Sequence, residues 1–387
     1  MPDEQGQEGK ELRETAVVQV MTSTSAHKHI TAFRSAQLPI LDVTLDVTRM
    51  TELLQPLLQV LAAPGEQPVV SYAKLLAYKQ GNRGLLRYEV TGTGAPEAID
   101  VYGKLFGDLN QAERLNAIMS YLWPVFADHP HVGVPRPLGC IPELAMFVYV
   151  PAQGQMLNEV ISTGRALRAM ELSGTWLGIL HRSRLPLPRR FHIMNEVVNL
   201  QAWASLVGQR YPELAAGARK VAAYLRDRAS VLIFETEAPI HKDFHYGHIV
   251  VGDRLKIIDF DEMRLGDPNF DLAHFCANLH LLAYRTSEMP YTFSALQRAF
   301  LNAYAAETKW EPDERFVYFY AYTCLKIAKQ LCTLRGLRPR PEGEEQHRQV
   351  ALIIDQGLAA IPADGGKKLA GRFATQFVEA PPPPKDA

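Results

Sequence analysis

Two aspartates on either side of a predicted hairpin are the strongest chemical signal in this sequence. Asp243 precedes the apolar run Ile249–Val251, and Asp259 follows the apolar run Leu255–Ile258. The turn residue Gly252 lies between the two runs, as it would between two short antiparallel strands. Because a hairpin brings the residues before its first strand close to those after its second, we expect the two carboxylates to lie together.

Paired carboxylates at one point suit phosphoryl transfer. That reaction needs one carboxylate to orient or deprotonate the attacking hydroxyl. It needs another to hold Mg²⁺ against the phosphates, since Mg²⁺ prefers oxygen ligands. An isolated aspartate at either position would be better explained as a turn or capping residue. The two together, at this spacing, favour the functional interpretation for Asp243 and Asp259.

The motifs around the hairpin resemble those of the aminoglycoside phosphotransferase and choline kinase group, which shares the protein-kinase-like fold. That family has His-x-Asp, then Ile-Asp-Phe near the end of the hairpin, then Gly-Asp-Pro and Asp-Leu-Ala. Several motifs in the right order make the resemblance specific, and it covers roughly Tyr72 to His280. The matching residues are His241, Asp243, Ile258-Asp259-Phe260, Asp267-Pro268 and Asp271-Leu272-Ala273.

The resemblance implies a role for each of these polar residues. Asp243 is expected to be the catalytic base, and Asp259 is expected to bind Mg²⁺ between the phosphates. His241 is expected to hold the catalytic loop by backbone hydrogen bonds, and Asp271 is expected to brace the same loop.

One position departs from the family pattern. The family has Asn five residues after the catalytic Asp, whereas this chain has His248. A neutral imidazole offers nitrogen, which suits Zn²⁺ or Mn²⁺ better than Mg²⁺, so Mn²⁺ becomes possible beside Mg²⁺. Asp261 is either an extra carboxylate for the metal or a solvated loop residue, and the sequence leaves both interpretations open.

A lysine in an earlier predicted strand gives supporting evidence. Alternation along the strand puts Lys104 on one face with Tyr102 and Phe106, and Glu113 lies on the following predicted helix. In the family, such a Lys–Glu pair positions the phosphates of ATP. The alternative for Lys104 is a surface lysine whose stem covers the aromatic rings.

Two further segments complete the predicted nucleotide site by resemblance. The turn containing Gly81, Arg83 and Gly84 would cover the phosphates, although any hairpin turn has similar residues. The apolar strand containing Phe147 and Tyr149 would be the hinge that meets adenine, and its alternative is a plain core strand.

The element pattern predicts an α+β, two-lobed protein-kinase-like fold. A strand-rich N-terminal nucleotide-binding lobe is expected over 37–150, and a helix-rich C-terminal catalytic lobe over 151–362. The tails at 1–36 and 363–387 have the composition of disordered segments, and the second is rich in proline. The predicted elements are strands Tyr72–Tyr78, Leu85–Val90, Ile99–Phe106 and Met146–Val150, and helices Gln111–Trp123, Met194–Leu206, Ala215–Leu225, Phe293–Tyr304 and Arg315–Leu334.

Composition excludes several other classes. The hydrophobic fraction is 47%, the charged fraction is 21% and the formal net charge is -1, so a dedicated nucleic-acid binder is not expected. The sequence has no apolar run long enough to span a bilayer and no signal-peptide pattern at its start, which favours a cytoplasmic protein without a membrane partner. The four scattered cysteines are expected to be reduced.

The sequence therefore predicts an ATP- and Mg²⁺-dependent kinase of a small-molecule acceptor with a hydroxyl group, of the aminoglycoside, sugar or amino-alcohol type. Two alternatives stay open. His248 is also consistent with a nucleotide-binding module that has lost catalysis. A metallo-hydrolase is the third possibility, but it leaves Lys104 and Glu113 without a role. Its metal ligands would be His241, Asp243, His245, His248 and Asp259. The sequence determines neither the acceptor nor the oligomeric state.

Overall fold

A computed structural model describes residues 41–79, 83–333 and 343–361 of the chain. The predicted tails at 1–36 and 363–387 lie outside these residues, and so does Gly81 at the tip of the predicted phosphate loop. The chain packs into two units. The first contains the described residues up to Glu113 and the segment Leu138–Tyr149. The second contains Arg114–Pro137 and the described residues from Val150 onward.

Five strands form the sheet of the first unit: β1 (Val69–Lys79), β2 (Arg83–Thr91), β3 (Ile99–Phe106), β5 (Arg136–Ile141) and β6 (Met146–Val150). Their order in the sheet is β1-β2-β3-β6-β5. Along β2, buried residues alternate with half-buried ones, because successive side chains of a strand point to opposite faces. The register places Lys104 between Leu85 on β2 and Phe147 on β6.

Two helices precede this sheet, α1 (Leu41–Leu45) and α2 (Val47–Leu58). The Asp46 side chain caps α2 by accepting hydrogen bonds from the backbone N–H groups of Thr48 and Arg49. One face of α2 carries apolar residues at the spacing of helical turns, and these residues are fully buried in a core shared with the sheet. They are Met50, Leu54 and Leu58, which pack with Leu86, Tyr88 and Val90 of β2.

Helices dominate the second unit. A long helix, α3 (Leu109–Val125), runs from the first unit into it. The others are α4 (Leu157–Val160), α5 (Ala166–Arg182), α6 (Met194–Arg210), α7 (Ala215–Ala229), α8 (Asn269–Arg285), α9 (Phe293–Thr308), α10 (Glu314–Thr333) and α11 (Gly343–Ala360). Helices α5 and α9 approach so closely that a Cβ atom on Gly174 would lie 2.1 Å from the carbonyl oxygen of Phe300, which explains the glycine there.

Short strands fill the gap between α7 and α8. The predicted hairpin is present as β9 (Ile249–Val251) and β10 (Leu255–Ile257), with Ile249 opposite Ile257. It belongs to a sheet of order β4-β10-β9-β7, in which β4 is Val132–Gly133 and β7 is Gln155–Met156. A second, two-stranded sheet pairs β8 (Ala238–Ile240) with β11 (Arg264–Gly266).

The described elements match the predicted fold class, with strands concentrated in the N-terminal part and helices in the C-terminal part. None of the helices in the described ranges is long and apolar enough to cross a membrane.

Candidate active site

The hairpin brings the two predicted carboxylates to opposite sides of one imidazole ring. Asp243 lies in the loop between β8 and β9, and Asp259 lies just after β10. His248 stands between them. Its Nδ1 is 3.8 Å from Asp243 Oδ2, and its Nε2 is 3.6 Å from Asp259 Oδ2. The structure thus brings together Asp243, His248 and Asp259, three of the residues predicted from the sequence.

The loop before Asp243 is held by a fully buried carboxylate on α8. Asp271 Oδ2 accepts hydrogen bonds from His241 N at 2.6 Å and from His181 Nε2 at 3.1 Å. Its Oδ1 accepts one from Lys242 N at 2.8 Å. Burial opposes ionisation of Asp271, but the hydrogen bond from His181 and the electrostatic interactions with the His181 and His241 rings outweigh burial and lower the pKa of Asp271.

His241 ties this loop to the segment that carries Asp259. The ring is fully buried, and its Nε2–H donates to the carbonyl oxygen of Ile258 at 3.1 Å. Trp176 crosses it edge-on, with ring centroids 6.3 Å apart. Burial lowers the pKa of His241, so the ring is neutral near pH 7. A neutral, enclosed ring of this kind positions the loop and does not itself exchange protons with a substrate.

Three imidazoles surround the Asp243 carboxylate. His274 Nε2 lies 3.5 Å from Oδ1, and the nearest nitrogens of His245 and His248 lie 3.8 Å from Oδ2. Burial favours the protonated carboxyl, but the interactions of the carboxylate with these imidazoles, above all with His274, outweigh burial and hold the pKa of Asp243 well below its usual range. Asp243 is therefore ionised at neutral pH and suited to orient a hydroxyl and accept its proton as the new bond forms.

Hydrogen bonds to the backbone fix the proton on each of two histidines. His248 Nδ1 lies 2.9 Å from the Asp243 carbonyl oxygen, which can only accept, so Nδ1 carries the hydrogen. His245 Nδ1 accepts from Gly247 N at 2.9 Å, so the hydrogen of the neutral ring is on Nε2, facing Asp243. Burial, followed by the charge of His248, lowers the pKa of His245 to about 3, which keeps this ring neutral.

These tautomers decide which atoms are available to a cation. Potential ligand atoms of Asp243, His245 and His248 lie within 4.8 Å of one another. However, His245 turns an N–H towards the group, and His248 uses its Nδ1–H on the backbone. The free acceptor on His248 is Nε2, which faces the Asp259 carboxylate at 3.6 Å. Two acceptors facing each other favour a cation between them, so His248 and Asp259 fit a divalent metal better than the three-residue group does.

Asp259 has the left-handed backbone conformation, with φ at 67°. Such a conformation is strained for most residues, although Asp tolerates it better than branched residues do. The nearby Asp261 is buried, with 5% of its surface exposed, and its carbonyl oxygen accepts from Arg114 Nη2 at 3.1 Å. The interpretation of Asp261 as a solvated loop residue is therefore wrong, and its role as a metal ligand stays a prediction.

The residues predicted to bind the nucleotide belong to the first unit. Lys104 shares a face of β3 with Tyr102 and Phe106, as alternation predicts, and its Nζ lies 5.9 Å from the centre of the Phe106 ring. Glu113 is exposed on α3. The ion pair between Lys104 and Glu113 stays a prediction. Tyr149 stacks on Phe147 with centroids 5.3 Å apart.

The other residues predicted to bind the nucleotide lie on two strands of the first unit. Arg83 and Gly84 open β2, directly after the undescribed tip of the hairpin. Phe147 is 2% exposed, which agrees with its alternative as a core residue, whereas Tyr149 is half-buried. The role of each in nucleotide binding stays a prediction.

Sequence reasoning missed two polar residues near Asp243. His274 stands three positions after Asp271 on the same helix, and this spacing puts both side chains on one face, so helical periodicity was an available signal. Lys326 is the first charged residue after Arg315 along the apolar part of α10. The carboxylate of Asp243 favours the charged form of Lys326, an interaction that the sequence does not reveal.

Comparisons with known proteins show what this chain is similar to. The family model described as the phosphotransferase enzyme family matches residues 105–318, more than half of the chain. A curated relative, the protein LicA homolog of Metamycoplasma hominis, is 26% identical over 172 residues, which cover 43% of this chain and 58% of that protein. The matched region thus spans less than two thirds of that relative.

Solved structures include the amicoumacin kinase hAmiN in complex with AMP-PNP, Ca²⁺ and its ligand. It has a TM-score of 0.53 and 16% identity, and the alignment covers 87% of this chain and 97% of that one. Choline kinase LicA from Streptococcus pneumoniae has a TM-score of 0.49 and 15% identity, with 81% and 100% covered. The first of these establishes the fold, and the predicted protein-kinase-like fold class is confirmed.

Proposed function

Because this chain belongs to the phosphotransferase enzyme family, we propose that it transfers the γ-phosphoryl group of ATP to a hydroxyl of a small molecule. One observation carries the proposal. The Asp243 and Asp259 carboxylates lie 3.8 and 3.6 Å from the two nitrogens of His248, at the end of the hairpin. Asp271 holds the loop before Asp243 by accepting a hydrogen bond from the Lys242 N–H. That is the pair of carboxylates that phosphoryl transfer requires.

In this proposal Asp243 orients the acceptor hydroxyl and takes its proton. Its carboxylate is ionised because of the surrounding imidazoles, of which His274 and His245 lie 3.5 and 3.8 Å from its two oxygens. These imidazole contacts restrict the rotamer of the Asp243 carboxylate. Precise orientation of the reacting groups supplies much of the rate enhancement in phosphoryl transfer.

Asp259 and His248 would hold a divalent cation. When bound, that cation neutralises charge on the phosphates. The amicoumacin kinase structure contains AMP-PNP and Ca²⁺, which supports a nucleotide and a divalent cation as ligands of this chain. The proposed contacts to ATP are Lys104 with Glu113 for the phosphates, Arg83 and Gly84 beside the covering turn, and Phe147 and Tyr149 for adenine.

The two alternatives from the sequence are less well supported. A metallo-hydrolase would need His245 as a ligand, yet its Nδ1 is occupied by the Gly247 N–H and its Nε2 carries the hydrogen in the neutral ring. A module without catalysis would have no use for an ionised Asp243 surrounded by three imidazoles. We therefore favour a working kinase.

The test is ATP turnover with a panel of hydroxylated acceptors. Purified protein is incubated with ATP, a divalent cation and aminoglycosides, sugars or amino alcohols, and the product is identified by phosphorus NMR. Asp243→Asn should lower kcat by about a hundredfold or more while the Kd for ATP stays unchanged, because a base is removed and the nucleotide contacts are not.

The control is Asp253→Asn, an exposed aspartate in the turn of the same hairpin, which should turn over like the parent. Near-parent kcat for Asp243→Asn would remove Asp243 from the mechanism. Failure of the parent to bind ATP would overturn the proposed function as a whole.

A further inference from the structure

The gap between the Asp243 carboxylate and the His245 ring is too wide for a direct hydrogen bond and suits a bridging oxygen atom. His245 Nε2 lies 3.8 Å from Asp243 Oδ2, which exceeds the about 2.7–3.2 Å of an N–H···O hydrogen bond. An oxygen atom beside both groups would lie about 2.9 Å from the nitrogen and about 2.7 Å from the carboxylate oxygen at the same time.

The hydrogen in this gap is on His245. The Gly247 N–H donates to His245 Nδ1 at 2.9 Å, so Nδ1 carries a lone pair and the hydrogen of the neutral ring is on Nε2. The His248 ring lies against the His245 ring, with centroids 4.1 Å apart and planes inclined by 34°. These two contacts hold the ring in the orientation that places Nε2–H on the Asp243 side.

The other two imidazoles around Asp243 are already used or enclosed. His248 Nδ1 donates to the carbonyl oxygen of Asp243 at 2.9 Å, and its Nε2 faces Asp259. His274 lies beside the other carboxylate oxygen, Oδ1, and its side chain is 5% exposed. The side chains of His245 and Asp243 are 19% and 40% exposed, so both are open to a ligand from solvent. Of these three rings, His245 therefore offers an accessible N–H next to Oδ2.

A donor and an acceptor on either side of this gap match the bonding of a hydroxyl group. A hydroxyl oxygen has one hydrogen to donate and two lone pairs. In the gap its hydrogen would bond to Asp243 Oδ2, and one lone pair would accept from His245 Nε2–H. The second lone pair stays free to attack phosphorus. Two fixed hydrogen bonds on one oxygen set the direction of that lone pair, and fixed orientation lowers the barrier to transfer.

We propose that His245 is a catalytic residue that donates its Nε2–H to the acceptor hydroxyl while Asp243 Oδ2 receives the hydroxyl proton. The inference rests on the proposed kinase function and adds a second protein contact to the reacting oxygen. That oxygen forms a bond to the γ-phosphorus, and the bond from this phosphorus to the bridging oxygen breaks. ADP leaves with the electron pair, the hydroxyl proton passes to Asp243, and His245 keeps its own hydrogen throughout.

A structural contact of His245 gives the competing explanation. Its Nδ1 caps the 3₁₀ turn Tyr246–His248 by accepting from the Gly247 N–H. Two substitutions separate the cap from the donor. Asparagine has an oxygen that accepts from the N–H two residues on, as in an Asx turn, but it has no N–H at the position of Nε2. Glutamine reaches that position with an N–H group, but it is a poor capping residue.

The experiment measures ATP turnover of the folded variants with kanamycin, choline and glycerol, and with water alone as the acceptor. His245→Asn should lower kcat by at least about tenfold, because one hydrogen bond that orients the attacking oxygen is lost. The Kd for ATP and the urea midpoint of unfolding should stay those of the parent. His245→Gln should keep kcat at least about threefold above that of His245→Asn, although its urea midpoint falls because the cap is lost.

The control is His131→Asn, the same substitution at an exposed histidine, which should turn over like the parent. Parent-like kcat in His245→Asn, or an equal loss in His245→Asn and His245→Gln, would overturn the inference. If Asp243→Asn still loses turnover in that case, the kinase function stands. Failure of the parent to bind ATP would overturn the kinase function and this inference with it.

NMR of the protein labelled with ¹⁵N-histidine tests the donor without any acceptor. The ring signals of His245 are assigned by their absence in His245→Asn, and the two nitrogens are distinguished by their couplings to the ring protons. A hydrogen on Nε2 at neutral pH is the expected result. A hydrogen on Nδ1 instead would leave no donor beside Asp243 Oδ2 and would overturn the inference, whichever acceptor the enzyme uses.

Discussion

Replacing Asp271 by asparagine tests whether one buried carboxylate holds the catalytic loop. The carboxylate accepts three hydrogen bonds, two on Oδ2 from His241 N and His181 Nε2 and one on Oδ1 from Lys242 N. An amide has one acceptor and one donor. In its better orientation the oxygen of the introduced amide would keep the first two bonds, and its NH₂ group would face the Lys242 N–H.

The magnitude follows from this count. Two bonds change from charge-assisted to neutral, which lowers each from about 1.5–3 kcal/mol to about 0.5–1.5 kcal/mol. The Lys242 N–H loses its acceptor, at a cost of about 1–3 kcal/mol for an unsatisfied buried donor. The variant should therefore be less stable by about 3–6 kcal/mol, a large part of the about 5–15 kcal/mol that keeps a domain folded.

Urea unfolding followed by tryptophan emission measures this loss, because Trp176 packs against His241 in the same core. The variant should also lose about a hundredfold in kcat if it folds, since a displaced loop moves Asp243 away from the hydroxyl. Asp227→Asn, a substitution on the exposed end of α7, should change stability by less than about 0.5 kcal/mol. A loss below about 1 kcal/mol for Asp271→Asn would refute the reasoning.

The same carboxylate gives a pH dependence with a defined sign. The pKa of Asp271 is lowered in the folded protein, so its contribution to stability is present above the unfolded-state pKa of about 3.9. That contribution is lost as the pH falls through the folded-state pKa. The difference in unfolding free energy between the parent and Asp271→Asn should therefore shrink below about pH 4, and an unchanged difference would contradict the assignment.

The remaining predictions concern the nucleotide and the metal. Lys104→Ala should raise the KM for ATP by about tenfold, because a phosphate-facing charge is lost, and an equal rise in Lys79→Ala, an exposed lysine at the end of β1, would show a general charge effect instead. Mn²⁺ should support nucleotide binding at least as well as Mg²⁺, and His248→Asn should shift the preference towards Mg²⁺. Superimposable metal titrations of parent and variant would exclude His248 as a ligand.

Local sequence patterns predicted the strands and helices that are marked by apolar periodicity and by turn residues at their ends. The bounds of β3 and β6 agree with the predicted strands Ile99–Phe106 and Met146–Val150. Buried and half-buried residues alternate along the middle of β3, whereas β6 is a short apolar run. The hairpin β9–β10 and the order of motifs around it were also predictable, and the family match confirms the resemblance. Helix α3 runs to Val125, past the predicted end at Trp123 and through Pro124.

Other features depend on contacts between distant segments, which periodicity does not encode. The chain crosses between the two units after Glu113, within the second turn of α3, although the sequence pattern of that helix is continuous. Burial of Asp261 also follows from tertiary packing, because an aspartate after a strand normally suggests a solvated turn. The tautomers of His245 and His248 depend on backbone groups whose placement only the folded loop determines.

Backbone strain explains why His241 and Asp271, which are proposed to position loops, belong to the motifs of the family. Lys242 has a φ of 68° and Asp259 a φ of 67°, and each left-handed residue costs about 1–2 kcal/mol. Asp271 offsets the first through its bond to the Lys242 N–H, and His241 secures the second through its bond to the carbonyl of Ile258. The charge-assisted bond to Asp271 contributes about 1.5–3 kcal/mol and the neutral bond of His241 about 0.5–1.5 kcal/mol, each comparable to the strain of one such residue. His241 and Asp271 therefore fix the two loops whose unusual conformations place the carboxylates of Asp243 and Asp259 on either side of the His248 ring.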